Sequence, residues 1–254
     1  MQDKSALGRT MAVVRDLRAR CAWDRVQTRE TLRPYLVEEV LELDQAIADG
    51  DRDAIQDELG DFLLHLAWQI VLGDELGEFS ADQLADRVER KMQRRHPHLF
   101  ELGPPEPWET LKRRERRRGT LDGLPPTLPD LLMACRLQER AASVGFDWPD
   151  AAGPAAKVRE ELAEVEAELG AGAPNDALTD EIGDLLFAVV NLARKAGVHP
   201  ATALGRANRK FRERFEVVET LAAERGVALE EAGLERLDAL WDEAKTAGRS
   251  PRRE

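Results

Sequence analysis

The sequence predicts an all-α protein made of two duplicated helical-bundle domains, and three observations predict it. Hydrophobic residues are 43% of the 254-residue chain, enough for a core, while aromatics are 5% and β-branched runs are scarce, which disfavours a large sheet. Leu, Ala, Glu, Asp and Arg dominate, the mix of helical proteins. Apolar residues then recur at helical spacing in two places, and the charged residues around them occur twice in the same order.

The first element to justify is a hairpin of helices within "EEVLELDQAIADGDRDAIQDELGD", Glu38 to Asp61. Its leading helix ends near Gly50, and Asp51 or Asp53 caps the next. In that next helix Ile55, Leu59, Phe62, Leu66 and Ile70 are spaced 4, 3, 4, 4, the period of one buried face. A further helix ends in "RRHPHLF", where Pro97 stops the pattern between His96 and His98. The Gly/Pro-rich stretch "GTLDGLPPTLPDL" is the expected boundary, giving a first domain over 1–118, a linker over 119–131 and a second domain over 132–254. The second half repeats the hairpin. "GAGAPN" separates its helices, Asn175 or Asp176 is the expected cap, and Leu178, Ile182, Leu185, Val189 and Leu192 form the buried stripe. The tail "AGRSPRRE" is expected to fray.

Charge and cysteine usage narrow the function. A net charge of −12 leaves no electrostatic footprint for nucleic acid as the main partner; the local run "KRRERRR" from Lys112 reads as a solvated helix end. Cys21 and Cys135 are far apart with no CxxC, which points to a reducing cytoplasm rather than a disulfide framework. The N-terminus has no apolar signal region, and no apolar run reaches the ~18 residues of a membrane span.

Aligning Glu39 with Glu161 brings out the repeat. The first copy runs Glu39, Glu42, Glu58 and Asp61; the second runs Glu161, Glu164, Glu181 and Asp184, with Glu38 and Glu160 preceding each series. Residues three apart share a helix face, so an antiparallel hairpin converges four carboxylates. Such carboxylates repel unless a cation sits among them, and an oxygen-only set suits Mg²⁺ beside a phosphorylated substrate. A di-iron bundle is excluded by the absence of any Glu-x-x-His; His65, four after Asp61 and present in one copy only, reads as a helix-face histidine without a ligand role. Downstream, Lys91 and Arg95 match Lys210 and Arg214, and Trp108 and Lys112 match Trp241 and Lys245. Lysine and arginine on one helix face suit a phosphate clamp, and an indole beside a cation suits a base or triphosphate. No glycine-rich phosphate loop is present, so metal and side chains have to hold any triphosphate.

At these residues the chain resembles the all-α nucleoside triphosphate pyrophosphohydrolases, whose pattern is EExxE…ExxD, and more narrowly the two-domain bacterial MazG family. "CAWDRVQT", "ERKMQRRHPHLF", "WETLK", "LDGLPPTLPDLL", "RAASVGFDW", "GDLLFAVVNLAR", "ANRKFRERF" and "WDEAK" carry the resemblance over about residues 8–246. Ala22 stands where the family usually has Pro. The resemblance implies hydrolysis of NTPs and dNTPs to monophosphates and pyrophosphate with Mg²⁺, Mn²⁺ able to substitute. It implies metal binding by Glu161, Glu164, Glu181 and Asp184, and nucleotide binding by Lys157, Lys210, Arg214, Trp241 and Lys245. Glu160 is the candidate general base for in-line water attack on the α-phosphorus. The resemblance places catalysis in the C-terminal copy. Asn191 is matched by Trp68, a bulky residue beside the first site, which leaves Glu38, Glu39, Glu42, Glu58, Asp61, Lys91, Arg95, Trp108 and Lys112 as a second site, catalytic or binding only. Small helical domains often need a partner to cover their apolar stripe, so a homodimer is expected. The alternative is a binding module that senses nucleotide without turnover.

Overall fold

The computed structural model describes residues 5–106, 108–115, 119–172 and 174–247; the arginines 116–118 of the basic run and the tail from 248 lie outside them. All regular structure among the described residues is helical. The chain divides into two compact units, Met1–Glu106 and Pro107–Glu254.

The first unit holds α1 (Ala6–Arg20), α2 (Ala22–Arg25), α3 (Arg29–Asp49), α4 (Arg52–Glu75) and α5 (Ala81–Arg95). Thr28 and Thr31 start α3 with a reciprocal cap: each hydroxyl accepts the other's backbone N–H. Gly50 ends α3 in the left-handed region at φ 73°, and the Asp51 carboxylate accepts from the N–H groups of Asp53 and Ala54 to start α4. These two signals fold α3 and α4 into a tight hairpin, and α1 packs across α4. The core gathers Met11 and Val14 of α1, Leu32 of α3, and Ala67, Trp68, Ile70, Val71 and Leu72 of α4. Arg18 ties the helices together: it forks onto Glu75 at 2.7 Å, donates to the carbonyls of Asp24 and Gln27, and lies 5.4 Å over the Trp68 ring.

The second unit holds α6 (Trp108–Glu115), α7 (Asp130–Ala142), α8 (Ala152–Ala171), α9 (Asn175–Lys195), α10 (Pro200–Glu224) and α11 (Gly233–Ala247). Gly172 ends α8 in the left-handed region at φ 66°. Neither Asn175 nor Asp176 caps α9; Pro174, with φ fixed at −58°, precedes the first turn, and no side chain caps it. The α8–α9 hairpin repeats α3–α4, α7 packs on α9, and α10 and α11 close on Val218, Ala222, Leu240 and Ala244.

Two expectations change. The division falls at Glu106/Pro107, so α6 and the stretch 119–131 belong to the second unit rather than to the first domain and a linker. Within the second unit, Arg140 Nη1 donates to the carbonyls of Leu121 and Asp122 at 2.8 and 2.5 Å. The stripes on α4 and α9 are also only partly buried within the chain: Ile70 is in the core, and Ile55, Leu178, Leu185 and Leu192 are half-buried. Leu59 is 50% exposed and Val189 44%, with Phe62, Leu66 and Ile182 similarly open. The helical period holds, but α4 turns Ala67, Trp68, Val71 and Leu72 to the core together with Ile70.

Candidate active site

The α8–α9 hairpin brings three of its four expected carboxylates together, and Glu164 stands outside that group. Glu161 and Glu164 sit one turn apart on α8, Glu181 and Asp184 one turn apart on α9. One carboxylate oxygen each from Glu161, Glu181 and Asp184 lie within 4.8 Å of one another. Glu161 is 4% exposed, Glu181 half-buried and Asp184 exposed, so the cluster has a buried floor and an open rim. Lys157, one turn before Glu161, pairs with Glu161 and with Glu160 at 2.8 Å.

The electrostatics describe a cluster relieving its own repulsion. Hydrogen bonds to Glu160 and Glu161 hold the Lys157 ammonium well above its ordinary range. The Lys157 hydrogen bond pulls the Glu161 carboxyl below the usual carboxylate range against its burial. Glu164 is pushed up, first by its hydrogen bond to Glu161, then by desolvation and the charges of Glu161 and Glu181. Lys157 offsets part of the negative charge gathered there. The donors are all oxygen, which fits a hard divalent ion.

Beside the acids lies a cavity of about 480 Å³. Glu161 and Asp184 line it together with Gln138, Phe146, Trp148 and Asn191. Gln138 donates from Nε2 to the Phe187 carbonyl at 2.8 Å, while its buried Oε1 has no hydrogen-bond partner. Asn191 Oδ1 accepts from Arg194 Nε and Nη2 at 3.1 and 2.7 Å, which leaves its amide N–H groups for the cavity. Arg194 is fixed in turn by a fork onto Asp147, with Nη2 to Oδ1 at 2.5 Å and Nη1 to Oδ2 at 3.2 Å, and Lys195 Nζ adds a third bond. The Arg194 hydrogen bond, ahead of Lys195, holds Asp147 below the usual carboxylate range. Trp148 lies so close to Gly153 that any Cβ there would strike the indole. In the sequence, "RAASVGFDW" carries only a family likeness, and no spacing gives a role to Gln138, Phe146, Asp147, Trp148 or Arg194. Only packing aims these residues at one cavity.

The predicted phosphate clamp forms a separate group. Lys210 and Arg214 lie on α10, Trp241 and Lys245 on α11. The Arg214 guanidinium is 6.0 Å from the Trp241 ring centroid, Phe211 packs 5.1 Å from the same ring, and Lys245 pairs with Asp242 at 2.8 Å. None of the four lines the cavity.

In the first unit, Glu39, Glu58 and Asp61 converge within the same 4.8 Å. Burial first, then the charges of Asp61, Glu42, Glu58 and Glu38, raise the Glu39 carboxyl; desolvation, Glu42 and Asp61 raise Glu58. The position of Lys157, four before the leading acid, is Tyr35 here. Trp68, at the place of Asn191, is 4% exposed and packed in the core. Glu38 and Glu42 are exposed on α3, and Lys91 and Arg95 lie on α5. Trp108 and Lys112 lie on α6, in the second unit.

The same arrangement has relatives among known proteins. The profile of the MazG nucleotide pyrophosphohydrolase domain matches residues 27–100 and 154–219, one segment on each acidic hairpin. The chain is similar to the nucleoside triphosphate pyrophosphohydrolase/pyrophosphatase MazG of Thermotoga maritima, 42% identical over 231 residues, covering 89% of each chain. It is also similar to the nucleoside triphosphate pyrophosphohydrolase of Escherichia coli (strain K12), 38% identical over 247 residues, covering 92% of this chain and 94% of that protein.

Proposed function

Because the chain belongs to the MazG nucleotide pyrophosphohydrolase family, we propose that it hydrolyses nucleoside triphosphates to monophosphate and pyrophosphate at the α8–α9 hairpin. The observation that carries this reading is one carboxylate cluster opening onto one nucleoside-sized cavity. Glu161, Glu164, Glu181 and Asp184 hold Mg²⁺, or Mn²⁺ in its place. Bound there, the cation supplies neutralisation of the triphosphate and a more acidic attacking water.

The chain's own residues do the rest. The base and sugar enter the cavity, where Gln138 Oε1 can accept and the Asn191 amide can donate. Phe146 and Trp148 offer faces for stacking. Lys157, paired with Glu160 and Glu161 beside the cavity, would also be within reach of the phosphates were the acids to hold a cation. Glu160, exposed and paired with Lys157, accepts the proton of the attacking water. Positioning and electrostatics supply most of the rate, as in other transfers at phosphorus.

The clamp residues Lys210, Arg214, Trp241 and Lys245 complete the site from a second copy of the chain in a homodimer. Two observations support this. Leu162, Ile182, Leu186, Phe211 and Phe215 are exposed on α8, α9 and α10. Gly60 and Gly183 interrupt α4 and α9 at matching positions, and a Cβ at either would meet nothing of the chain within 4 Å, although each helical Gly costs ~1 kcal/mol against Ala. Product analysis with ATP, dNTPs and Mg²⁺ tests the reaction: monophosphate and pyrophosphate are expected, and orthophosphate with a diphosphate refutes it. Sedimentation tests the assembly; a compact, active monomer refutes the shared site. No described helix is long and apolar enough to cross a membrane.

A further inference from the structure

The last turns of α9 carry a polar row that the first unit lacks. Aligning Asp184 with Asp61 sets Asn191, Arg194 and Lys195 against Trp68, Val71 and Leu72, all three buried in the first unit's core. Where the first unit packs apolar side chains, Asn191 and Arg194 line the cavity of the second.

Arg194 is held firmly enough to orient its neighbour. Its guanidinium forks onto Asp147, and its side chain is only 14% exposed. Lys195 Nζ braces the same loop, bonding Asp147 Oδ2 at 3.2 Å and the Trp148 carbonyl at 2.6 Å. Arg194 Nε and Nη2 then both reach Asn191 Oδ1. A carboxamide has nearly the same shape either way round, so its neighbours decide which end is oxygen. A guanidinium has donors and no acceptor. Turning the Asn191 amide over would set its NH₂ group against Arg194, donor against donor. The oxygen is therefore committed to Arg194 and the NH₂ group to the cavity. Asn191 follows Asp184 by two turns, about 10 Å along the helix axis. A nucleotide whose phosphates meet the acids brings its base, not its phosphates, to this amide.

We propose that Arg194 is a positioning residue that commits Asn191 to donate, so that the cavity takes nucleotides whose base presents a ring-nitrogen or carbonyl acceptor at that point. The inference rests on the cavity being the nucleoside pocket. Its signature is selective: a base lacking that one acceptor leaves a buried donor unpaired, whereas loss of any other ring nitrogen changes little.

The test is titration calorimetry of the full chain with Mg²⁺ and α,β-methylene ATP, which cannot release pyrophosphate. Its 1-deaza, 3-deaza and 7-deaza forms each replace one ring nitrogen of adenine with C–H. One of the three is expected to bind at least about tenfold more weakly than the parent, and the other two nearly as well. Asn191→Ala should close that gap, and so should Arg194→Met. Asn191→Asp, which keeps a partner for Arg194 but offers no N–H, should close it too. Ratios between ligands do not depend on how much of a variant is folded. In the Asn191→Ala background, Arg194→Met should weaken binding of the parent no further; a merely structural arginine would weaken all four ligands alike and add to Asn191→Ala. Equal affinity for all four ligands, or a gap that survives Asn191→Ala or Arg194→Met, would overturn the proposal. Absence of hydrolysis with the gap intact would refute only the hydrolysis reading.

Discussion

The hairpins α3–α4 and α8–α9 carry the same carboxylates at nearly the same spacing and converge three of them to the same 4.8 Å. Their surroundings differ at three matched positions. Lys157 relieves the charge in the second unit, and Tyr35 stands at its place in the first. Asn191 faces a cavity and Trp68 fills a core; Ala188 walls the cavity and His65 faces Glu39. Each unit also uses an arginine differently. Arg18 covers Trp68 and locks a packed interior, whereas Arg194 turns Asn191 toward an open one. The same acid geometry therefore stands in two different settings.

Substitutions at matched positions can break or sharpen this contrast. The largest expected effect is Trp68→Ala, which empties the first unit's core and should cost about 3–5 kcal/mol in a thermal or urea melt of that unit. A small loss would mean that Trp68 is not a core residue in solution. Next, Glu164→Gln should lower pyrophosphate release about 10²–10³-fold, by analogy with loss of one preorganised electrostatic group. Glu42→Gln, its match, should change it less than tenfold, and equal losses would place turnover in both units.

Asp147→Asn comes third. It removes the negative charge and one of the two acceptor oxygens of the Arg194 fork, and a charge-assisted hydrogen bond of this kind is worth about 1.5–3 kcal/mol. The folded-state pKa of Asp147 is depressed, so its contribution is present above the ordinary Asp range and lost as pH falls through the folded value. Melting curves of wild type and variant should therefore separate at neutral pH and converge in acid; a gap that persists in acid refutes the ionic reading. The smallest effect is Asn191→Ala, expected to raise KM about tenfold with kcat nearly unchanged, the signature of lost uniform binding. A fall in kcat alone would move Asn191 from the nucleoside to the reacting centre.

The duplication and both acid series were legible from spacing, because a helix converts i,i+3 into a shared face without help from the rest of the fold. The caps around Gly50 were legible for the same local reason, and the start of α9 was not, since Pro174 sets it through backbone geometry rather than a side chain. The stripe residues show the limit. Periodicity found the helices but not which face is covered, because Leu59 and Val189 look as apolar as Val71 and Val190 while only the latter pair is buried. The stretch 119–131 looks like a linker by composition, yet it falls within the second unit, where Arg140 bonds to it.

The sequence by itself determined an all-α duplicated chain, the three converging acids of each copy and the family to which the chain belongs. Only the tertiary structure decided that Gln138, Trp148 and Asn191 share a cavity with Glu161 and Asp184, and that His65 is buried against Glu39. Contacts between residues far apart in the chain depend on how helices pack, and helix packing is set by shape and burial that no local spacing records.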